Sequence, residues 1–334
     1  MTSMMSRAAV AALAIALGTT TVPSGAEAQT TMRVSHQWST ADVRHQVVEI
    51  IKEEVEKADV GLELQIFPSG SLFKAREQYK PLARGQLEAT VFPLSYAGGL
   101  RSAYNLTLMP GLVKNHDHAA RLNESDFMGE IENIMAEDDV MVLVHGYLAG
   151  GFAGVDKCIT NPNDVEGLQS RAAGKAFEQM LAGAGASIAS MSSSEIYNAM
   201  QTGVLDAANT SSASFMSFRI YEQVSCFTPA GDFALWFMYQ PMLVNKSFFD
   251  GLTPEQQEAL KAGAAKAEAF YLERAKTQDA EAARVFQEAG VEIAEMSEED
   301  FNAWRAIAQD TSYKAFLEGN AEGQRLLDLA LSVE

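Results

Sequence analysis

Hydrophobic and polar positions alternate along the first third of the chain in a pattern that predicts strands separated by helices. Short apolar or alternating runs predict strands over 32–35, 62–67 and 88–92. Apolar residues recur at helical spacing over 42–60, and a second helix is predicted over 75–84. This β-α-β-α-β order indicates an α/β fold with a parallel sheet flanked by helices.

The rest of the chain continues the mixed pattern. Further elements are predicted as a strand over 140–145, a helix over 193–200, a polar loop over 206–212, an aromatic strand over 234–239 and a helix that begins near Ser297. The region 254–290 is Ala-rich and charged, and it predicts one long helix. Thr253 and Gln256 have the spacing of a capping box at its start.

The first 28 residues have the pattern of a secretory signal peptide. Arg7 supplies a positive charge, residues 8–17 are almost purely apolar, and Ala26 and Ala28 fit a small-residue cleavage site. The alternative is an N-terminal membrane anchor, but the apolar run is shorter than the ~20 residues that a spanning helix needs. We therefore expect cleavage after Ala28 and a soluble protein in the periplasm.

The net charge of the chain limits its possible macromolecular partners, and its cysteine content predicts a disulfide. The 334-residue chain has a formal net charge of −19, which argues against binding to nucleic acid or to an anionic membrane surface. Its two cysteines, Cys158 and Cys226, are expected to form a disulfide in an oxidising compartment. The alternative is a pair of buried thiols that lie too far apart to bond.

Five sequence blocks occur in an order that is typical of one family. They are the segments 67–72 (FPSGSL), 109–112 (MPGL), 163–171 (NDVEGLQSR), 194–206 (SEIYNAMQTGVLD) and 252–257 (LTPEQQ). Together they resemble the dicarboxylate-receptor type of substrate-binding protein that serves tripartite ATP-independent periplasmic (TRAP) transporters. The resemblance covers essentially the whole mature chain.

The resemblance implies a two-domain fold of the periplasmic-binding-protein type, with a ligand cleft between the domains and a long helix that joins them. We expect domain I to comprise 29–150 with about 240–280, and domain II to comprise 151–239 with about 281–334. The implied function is to bind a small organic acid and to deliver it to TRAP membrane permease subunits. A monomer without cofactor or metal is expected.

The resemblance makes Arg171 the residue that binds the ligand carboxylate. A guanidinium presents a planar fork that matches a carboxylate, and the small residues at 172–174 allow close approach. Asn209 and Ser211 are candidates for a further polar contact, although both residue types also cap helices and stabilise turns. Gln37 and Trp38 follow the first strand, a position at which parallel-sheet proteins often bind ligands.

The chain departs from better-known relatives in the segments 93–96 and 151–155, because neither contains the additional arginine found there in some receptors. The aromatic candidates for the site are Phe92, Tyr96, Phe152, Trp236 and Phe237. One arginine leaves a second buried charge poorly neutralised, so the favoured ligand is a monocarboxylate with an aromatic or apolar body. A C4-dicarboxylate or a sugar acid is the alternative ligand, and these aromatics are alternatively part of the core.

Signatures of enzymes are poor in this sequence. It has no Gly-x-Ser-x-Gly, His-Glu-x-x-His, phosphate-binding loop or dinucleotide-binding glycine pattern. A periplasmic serine hydrolase and a ligand-sensing partner of a membrane kinase are the rival functions. The sequence favours a receptor that performs no chemistry, and it does not identify the acid, the affinity or the permease.

Overall fold

The computed structural model describes residues 29–334, which form two β-sheets with helices packed around them. This α/β architecture confirms the predicted fold class. The predicted signal peptide, 1–28, lies outside the described residues. No helix in the described part of the chain is long and apolar enough to cross a membrane.

The strands are β1 (Thr30–Ser35), β2 (Leu62–Phe67), β3 (Ala89–Val91), β4 (Val140–Val144), β5 (Tyr147–Gly154), β6 (Gln169–Ala172), β7 (Ser187–Ser190), β8 (Ala207–Ser211), β9 (Cys226–Thr228), β10 (Trp236–Tyr239), β11 (Met242–Asn245) and β12 (Glu292–Ile293). The α-helices are α1 (Val43–Ala58), α2 (Tyr79–Ala83), α3 (His116–Asn123), α4 (Asp126–Glu137), α5 (Lys175–Gly183), α6 (Ile196–Gln201), α7 (Ser212–Ser217), α8 (Lys246–Asp250), α9 (Pro254–Glu288), α10 (Glu298–Ala308), α11 (Lys314–Gly319) and α12 (Gly323–Leu331).

The first sheet has the strand order β2-β1-β3-β11-β4. Strand β1 runs parallel to β2 and β3, as the β-α-β-α-β pattern predicts, whereas β11 runs antiparallel to β3 and β4. Helix α1 begins where the side chain of Asp42 accepts a hydrogen bond from the backbone N–H of Arg44. Its apolar positions, which include Val47 and Ile51, are fully buried against this half of the molecule.

The second sheet has the order β12-β9-β5-β8-β6-β7, and β10 also pairs with β5. The predicted polar loop over 206–212 is wrong, because Ala207–Ser211 forms the buried strand β8 between β5 and β6. Polar residues usually avoid a sheet interior, so the sequence pattern concealed this strand. Asn209, Thr210 and Ser211 are buried although they are polar, which is costly unless they have partners and indicates a functional role for β8.

The helix predicted over 75–84 is reduced to α2, Tyr79–Ala83. Pro81 explains the difference. Proline has no N–H and is tolerated in the first turn of a helix, where that donor has no partner. A helix that began near residue 75 would have placed Pro81 in its interior.

Three segments join the two sheets. The chain passes from β4 to β5 at His145 and Gly146, and it returns from β10 to β11 at Gln240 and Pro241. Helix α9 is the third connection, since it packs on α1 beside the first sheet and buries Phe286 in the apolar cluster of the second. Its Thr253–Gln256 capping box is present as predicted.

The domain boundaries given by the sequence remain a proposal. Strands of the first sheet come from 30–91, 140–144 and 242–245, which agrees with the proposed discontinuous domain I. Helix α12 buries Leu326 and Leu327 in the same cluster as Phe127 of α4. This packing would move the C-terminal helix from domain II to domain I.

Candidate functional site

The carboxyl ends of strands from both sheets meet in one region, which we call the cleft. Gln37 follows β1, Tyr96 follows β3, Arg171 lies near the end of β6, and Asn209 lies in the middle of the short strand β8. One hydrogen bond crosses the cleft: the hydroxyl of Ser193, which follows β7 of the second sheet, donates to Oε1 of Gln37 on the side of the first sheet at 3.4 Å. The structure therefore brings together these four residues that the sequence analysis selected.

Arg171 is completely buried in the cleft, and three of its N–H groups are engaged. Nε donates to the carbonyl oxygen of Met191 at 3.1 Å, and Nη1 donates to the carbonyl oxygen of Asn209 at 2.6 Å. Nη2 donates to the hydroxyl of Tyr96 at 2.8 Å. Among residues 29–334, no acceptor is bonded to the second N–H of either terminal nitrogen, and two such N–H groups can bind a carboxylate in a bidentate contact.

The partners of Arg171 are all uncharged. Within residues 29–334, no carboxylate forms an ion pair with it. Burial lowers the pKa of Arg171 from its ordinary value, although the guanidinium remains a cation at any physiological pH. A buried cation without a counter-charge is costly, so this site is suited to an anion from outside the chain.

The hydroxyl of Tyr96 supplies another polar group beside Arg171. It accepts hydrogen bonds from Arg171 and, at 3.1 Å, from the backbone N–H of Ser193. Burial alone would raise the pKa of Tyr96, but the nearby cations Arg171 and Arg76 and the hydrogen bond from Ser193 together outweigh burial, and the pKa is lowered. With both contacts accepted by the oxygen, its proton is available for donation into the cleft.

Several buried polar atoms near these strand ends have no hydrogen-bond partner in the described part of the chain. They are Nδ1 of His36, Nε2 of Gln37, Nε1 of Trp38, and both Oδ1 and Nδ2 of Asn209. An unsatisfied buried polar group typically costs about 1–3 kcal/mol. Gln37 and Asn209 are connected to Arg171 through Ser193, Tyr96 and the Asn209 carbonyl oxygen, so their unpartnered atoms suit a polar ligand bound beside Arg171.

His36 is neutral in this environment. Burial, together with the smaller effect of the adjacent His45, lowers the pKa of His36 to about 3. Nε2 of His36 lies 3.1 Å from Nδ1 of His45, while Nδ1 of His36 has no partner. The ring therefore adds a polar atom to this region without adding charge.

The sequence analysis missed Arg44, a second fully buried arginine near the cleft. Its Nε and Nη2 each donate to Asp42 at 2.6 Å, and Nη1 donates to Gln240 at 2.7 Å. It also donates to the hydroxyls of Ser211 at 3.3 Å and Ser214 at 3.1 Å. The only sequence signal was the Asp-x-Arg spacing at the start of α1, because the other partners lie far along the chain.

Ser211 was predicted as a ligand contact, and the structure gives its hydroxyl other partners. It accepts from Arg44 and, as the cap of α7, from the backbone N–H of Ser214. This is the turn and cap chemistry that the sequence left open as the alternative. A role for Ser211 in binding remains a prediction, now less favoured than the same role for Asn209.

The predicted aromatic residues do not form a single surface. Trp236 and Phe237 are adjacent on β10, so their side chains point to opposite faces of the sheet. Phe152 stacks on Trp304 with ring centroids 5.5 Å apart, and Phe237 packs edge-on against His116 at 5.2 Å. Phe152 and Phe237 are therefore placed in the packed interior.

Phe92 and Tyr96 lie next to each other beside the cleft. Their ring centroids are 6.1 Å apart in an edge-to-face arrangement, and Phe92 is fully buried. Trp38 is also buried, with the guanidinium carbon of Arg44 3.9 Å from its ring centre. Phe92 thus supports Tyr96, while Trp38 keeps an unpartnered N–H.

The second arginine near Arg171 also escaped the sequence analysis. Arg76 is exposed, and its guanidinium carbon lies 4.5 Å from the ring centre of Tyr96. Nη2 of Arg76 donates to the carbonyl oxygen of Met191 at 3.1 Å. No motif marked this residue, because its segment was interpreted as the start of the helix predicted over 75–84.

Away from the cleft, Cys158 and Cys226 are joined, with a sulfur–sulfur distance of 1.99 Å. The bond links the loop after β5 to the start of β9. His116 and His118, the closely spaced histidines of α3, have separate partners. Nε2 of His116 lies 2.7 Å from Asp279, and Nε2 of His118 lies 3.0 Å from the carbonyl oxygen of Val333.

The chain matches the family model described as bacterial extracellular solute-binding protein, family 7, over residues 34–319. A solute-binding protein from Albidiferax ferrireducens is 36% identical over 322 residues, which cover 94% of this chain and 95% of the relative. The sialic acid-binding periplasmic protein of Vibrio cholerae is 22% identical, over 91% of this chain and 94% of that protein.

Solved structures show the same fold. A TRAP periplasmic solute-binding protein from Rhodoferax ferrireducens with bound malonate has a TM-score of 0.86 and 35% identity, and the match covers 90% of this chain and 98% of that one. An extracytoplasmic solute receptor from Bordetella pertussis that binds pyroglutamic acid has a TM-score of 0.82 and 22% identity, over 90% and 99% of the two chains.

Proposed function

This chain belongs to family 7 of the bacterial extracellular solute-binding proteins, and from that premise we propose that Arg171 binds the carboxylate of its ligand. The observation that carries the proposal is a fully buried guanidinium with one N–H on each terminal nitrogen free and only uncharged partners among the described residues. A charge-assisted hydrogen bond typically contributes about 1.5–3 kcal/mol, so this contact would dominate the polar part of binding.

The protein is a receptor of the TRAP type that binds a small organic acid and works with membrane permease subunits. Closure of the two domains over the acid would sequester it from solvent until delivery. We further propose that the receptor acts as a monomer in the periplasm and performs no chemistry on its ligand.

The unpartnered groups bear on which acid is bound. An aromatic or apolar-bodied monocarboxylate remains the prediction from the sequence, but such a body would leave Gln37, Trp38 and Asn209 unsatisfied. These groups favour an acid that carries further oxygen atoms. The 35% identical relative with bound malonate supports a small, oxygen-rich acid as the first choice.

A thermal-shift panel tests this proposal. The panel contains malonate, pyroglutamate, glucuronate, benzoate and phenylacetate, with malonamide as the neutral control. A ligand present at one hundred times its Kd stabilises the folded state by about 2.7 kcal/mol, which is readily detected. We expect at least one oxygen-rich acid to raise the Tm of the wild type, and malonamide to have no effect.

The matched variant Arg171→Met separates binding at this site from a general effect of anions. Its Tm should not respond to the acid that stabilises the wild type. An equal response of both proteins would place the carboxylate elsewhere. A dominant response to benzoate or phenylacetate would instead restore the apolar-bodied ligand while leaving the role of Arg171 intact.

A further inference from the structure

Two guanidinium groups face each other where the sides of the cleft meet. Nη2 of Arg76 and Nε of Arg171 each lie 3.1 Å from the same carbonyl oxygen, that of Met191, so the two nitrogens are no more than about 6.2 Å apart. Arg76 follows β2 of the first sheet, whereas Arg171 and Met191 belong to the second. The approach of the two cations therefore depends on the relative position of the two sheets.

Neither cation forms a salt bridge with a carboxylate in the part of the chain that the structure describes, although the charge of Glu178 favours the charged form of Arg171 without direct contact. The hydrogen bonds of Arg76 and Arg171 go to carbonyl oxygens and to the hydroxyl of Tyr96, all uncharged. At the dielectric constant of water, the repulsion between two unit charges about 6 Å apart lowers the equilibrium constant for bringing them together by a factor of roughly three. A lower dielectric constant makes this factor larger. Burial is the main cause of the lowered pKa of Arg171, and the charge of Arg76 is a further cause.

We propose that Arg76 is a specificity-determining residue that makes closure of the cleft depend on the negative charge of the ligand. The inference rests on the proposed function, in which a ligand carboxylate binds Arg171. Without an anion, closure brings two cations together and is disfavoured. A bound carboxylate offsets this repulsion, because it attracts both guanidinium groups.

This arrangement has a consequence that differs from that of an ordinary binding contact. Removing the charge of Arg76 removes both its repulsion of Arg171 and its attraction for the carboxylate, so the affinity for an acid changes little through charge. A neutral analogue experiences only the repulsion, so its affinity rises. Arg76 therefore discriminates against uncharged analogues of the ligand.

The test compares malonate with malonamide, and pyroglutamate with its neutral amide, by calorimetric titration. The proteins are the wild type, Arg76→Gln, Arg76→Lys and the control Lys80→Gln, which removes a positive charge from an exposed position in the same segment. We expect the ratio of acid affinity to amide affinity to fall roughly three- to tenfold in Arg76→Gln. The ratio should stay at the wild-type value in Arg76→Lys and Lys80→Gln.

The ratio also separates this role from the other roles of Arg76. Loss of its hydrogen bond to Met191 and of its contact with Tyr96 would weaken acid and amide alike and leave the ratio unchanged, which would overturn the inference. A lower affinity for the acid with no gain for the amide would make Arg76 a direct ligand contact, and would overturn it as well. Failure of the proposed function is distinct, because then no acid of the thermal-shift panel would stabilise the wild type, or the wild type and Arg171→Met would respond equally.

Discussion

Two buried arginines lie close to the cleft, and their surroundings differ in one respect. Arg44 has a carboxylate partner, since Asp42 accepts two hydrogen bonds from its guanidinium, and both side chains are at most 1% exposed. Arg171 is equally buried but bonds only to neutral oxygens. Arg44 thus has its counter-charge in direct contact, whereas no carboxylate of the described residues 29–334 forms a salt bridge with Arg171.

The difference indicates which arginine is structural and which is functional. A buried charge that is paired within the chain contributes to the integrity of the fold, and breaking such a pair leaves its partner uncompensated. A buried charge without a partner lowers stability and is retained where a ligand supplies the opposite charge. Substitutions at the two positions should therefore affect different properties.

The largest effect is expected for Arg44→Met. This variant leaves the carboxylate of Asp42 buried without its cation, and we expect the free energy of unfolding to fall by about 3–5 kcal/mol. Denaturant-induced unfolding measures the change. The double variant Asp42→Asn with Arg44→Met should recover much of the loss, because no charge then remains buried. A loss below about 1 kcal/mol in the single variant would mean that the pair is not structural.

Arg171→Met should show the opposite behaviour. Without ligand, the free energy of unfolding should stay within about 1.5 kcal/mol of the wild type, since relief from a buried charge offsets the donors lost to three neutral acceptors. The affinity for the acid selected by the thermal-shift panel should fall roughly 10- to 150-fold. Arg171→Lys should fold normally and bind weakly, because it loses the bidentate fork.

Calorimetric titration measures the affinity of the variants at position 171 for the acid. Denaturant unfolding of the same preparations measures their free energy of unfolding. A variant that lost several kcal/mol of stability but bound the acid normally would reverse the roles of the two arginines.

Asn209→Leu should separate stability from binding on a smaller scale. Both side-chain polar atoms of Asn209 are buried without a partner among residues 29–334, so a leucine of similar shape should leave ligand-free stability unchanged or raise it by up to about 1 kcal/mol. We expect the affinity for the acid to fall roughly three- to tenfold. Unfolding and titration measurements on Asn209→Leu and the neighbouring control Thr210→Val would show whether the effect is specific to position 209.

The smallest effect is expected for Tyr96→Phe. The ring and its contact with Arg76 remain, but Arg171 loses one acceptor and the cleft loses one hydroxyl donor. The affinity for the acid should fall about two- to tenfold, with little change in Tm. An unchanged affinity by titration would indicate that the Tyr96 hydroxyl orients Arg171 without touching the ligand.

Local pattern was sufficient to predict the elements whose determinants lie within a few residues. Helix α10 begins after Ser297, whose hydroxyl accepts from the backbone N–H of Asp300, at the position that the cap pattern indicates. Helix α9 begins at Pro254, as predicted, and ends at Glu288, close to Gly290. Capping and helical periodicity depend on neighbours in sequence, so a linear reading recovers them.

The parts that escaped prediction depend on residues distant in sequence. Arg44 has partners at Ser211 and Gln240, and Arg76 reaches Met191, so no spacing rule identifies either arginine. The stacking of Phe152 on Trp304, which is distant in sequence, was likewise not predicted. The candidate anion site at Arg171 was predicted through family resemblance, and its lack of a counter-charge became visible only in three dimensions.

The position of β11 between β3 and β4 has a consequence for how the chain is made. Strand β11 is encoded on the order of 150 residues after β3, its neighbour in the sheet, so the first sheet remains open along β3 until most of the chain has emerged. An unpaired strand edge is a site for aggregation. A fragment that stops before Met242 therefore lacks an interior strand of its first sheet, and we expect it to aggregate rather than to fold.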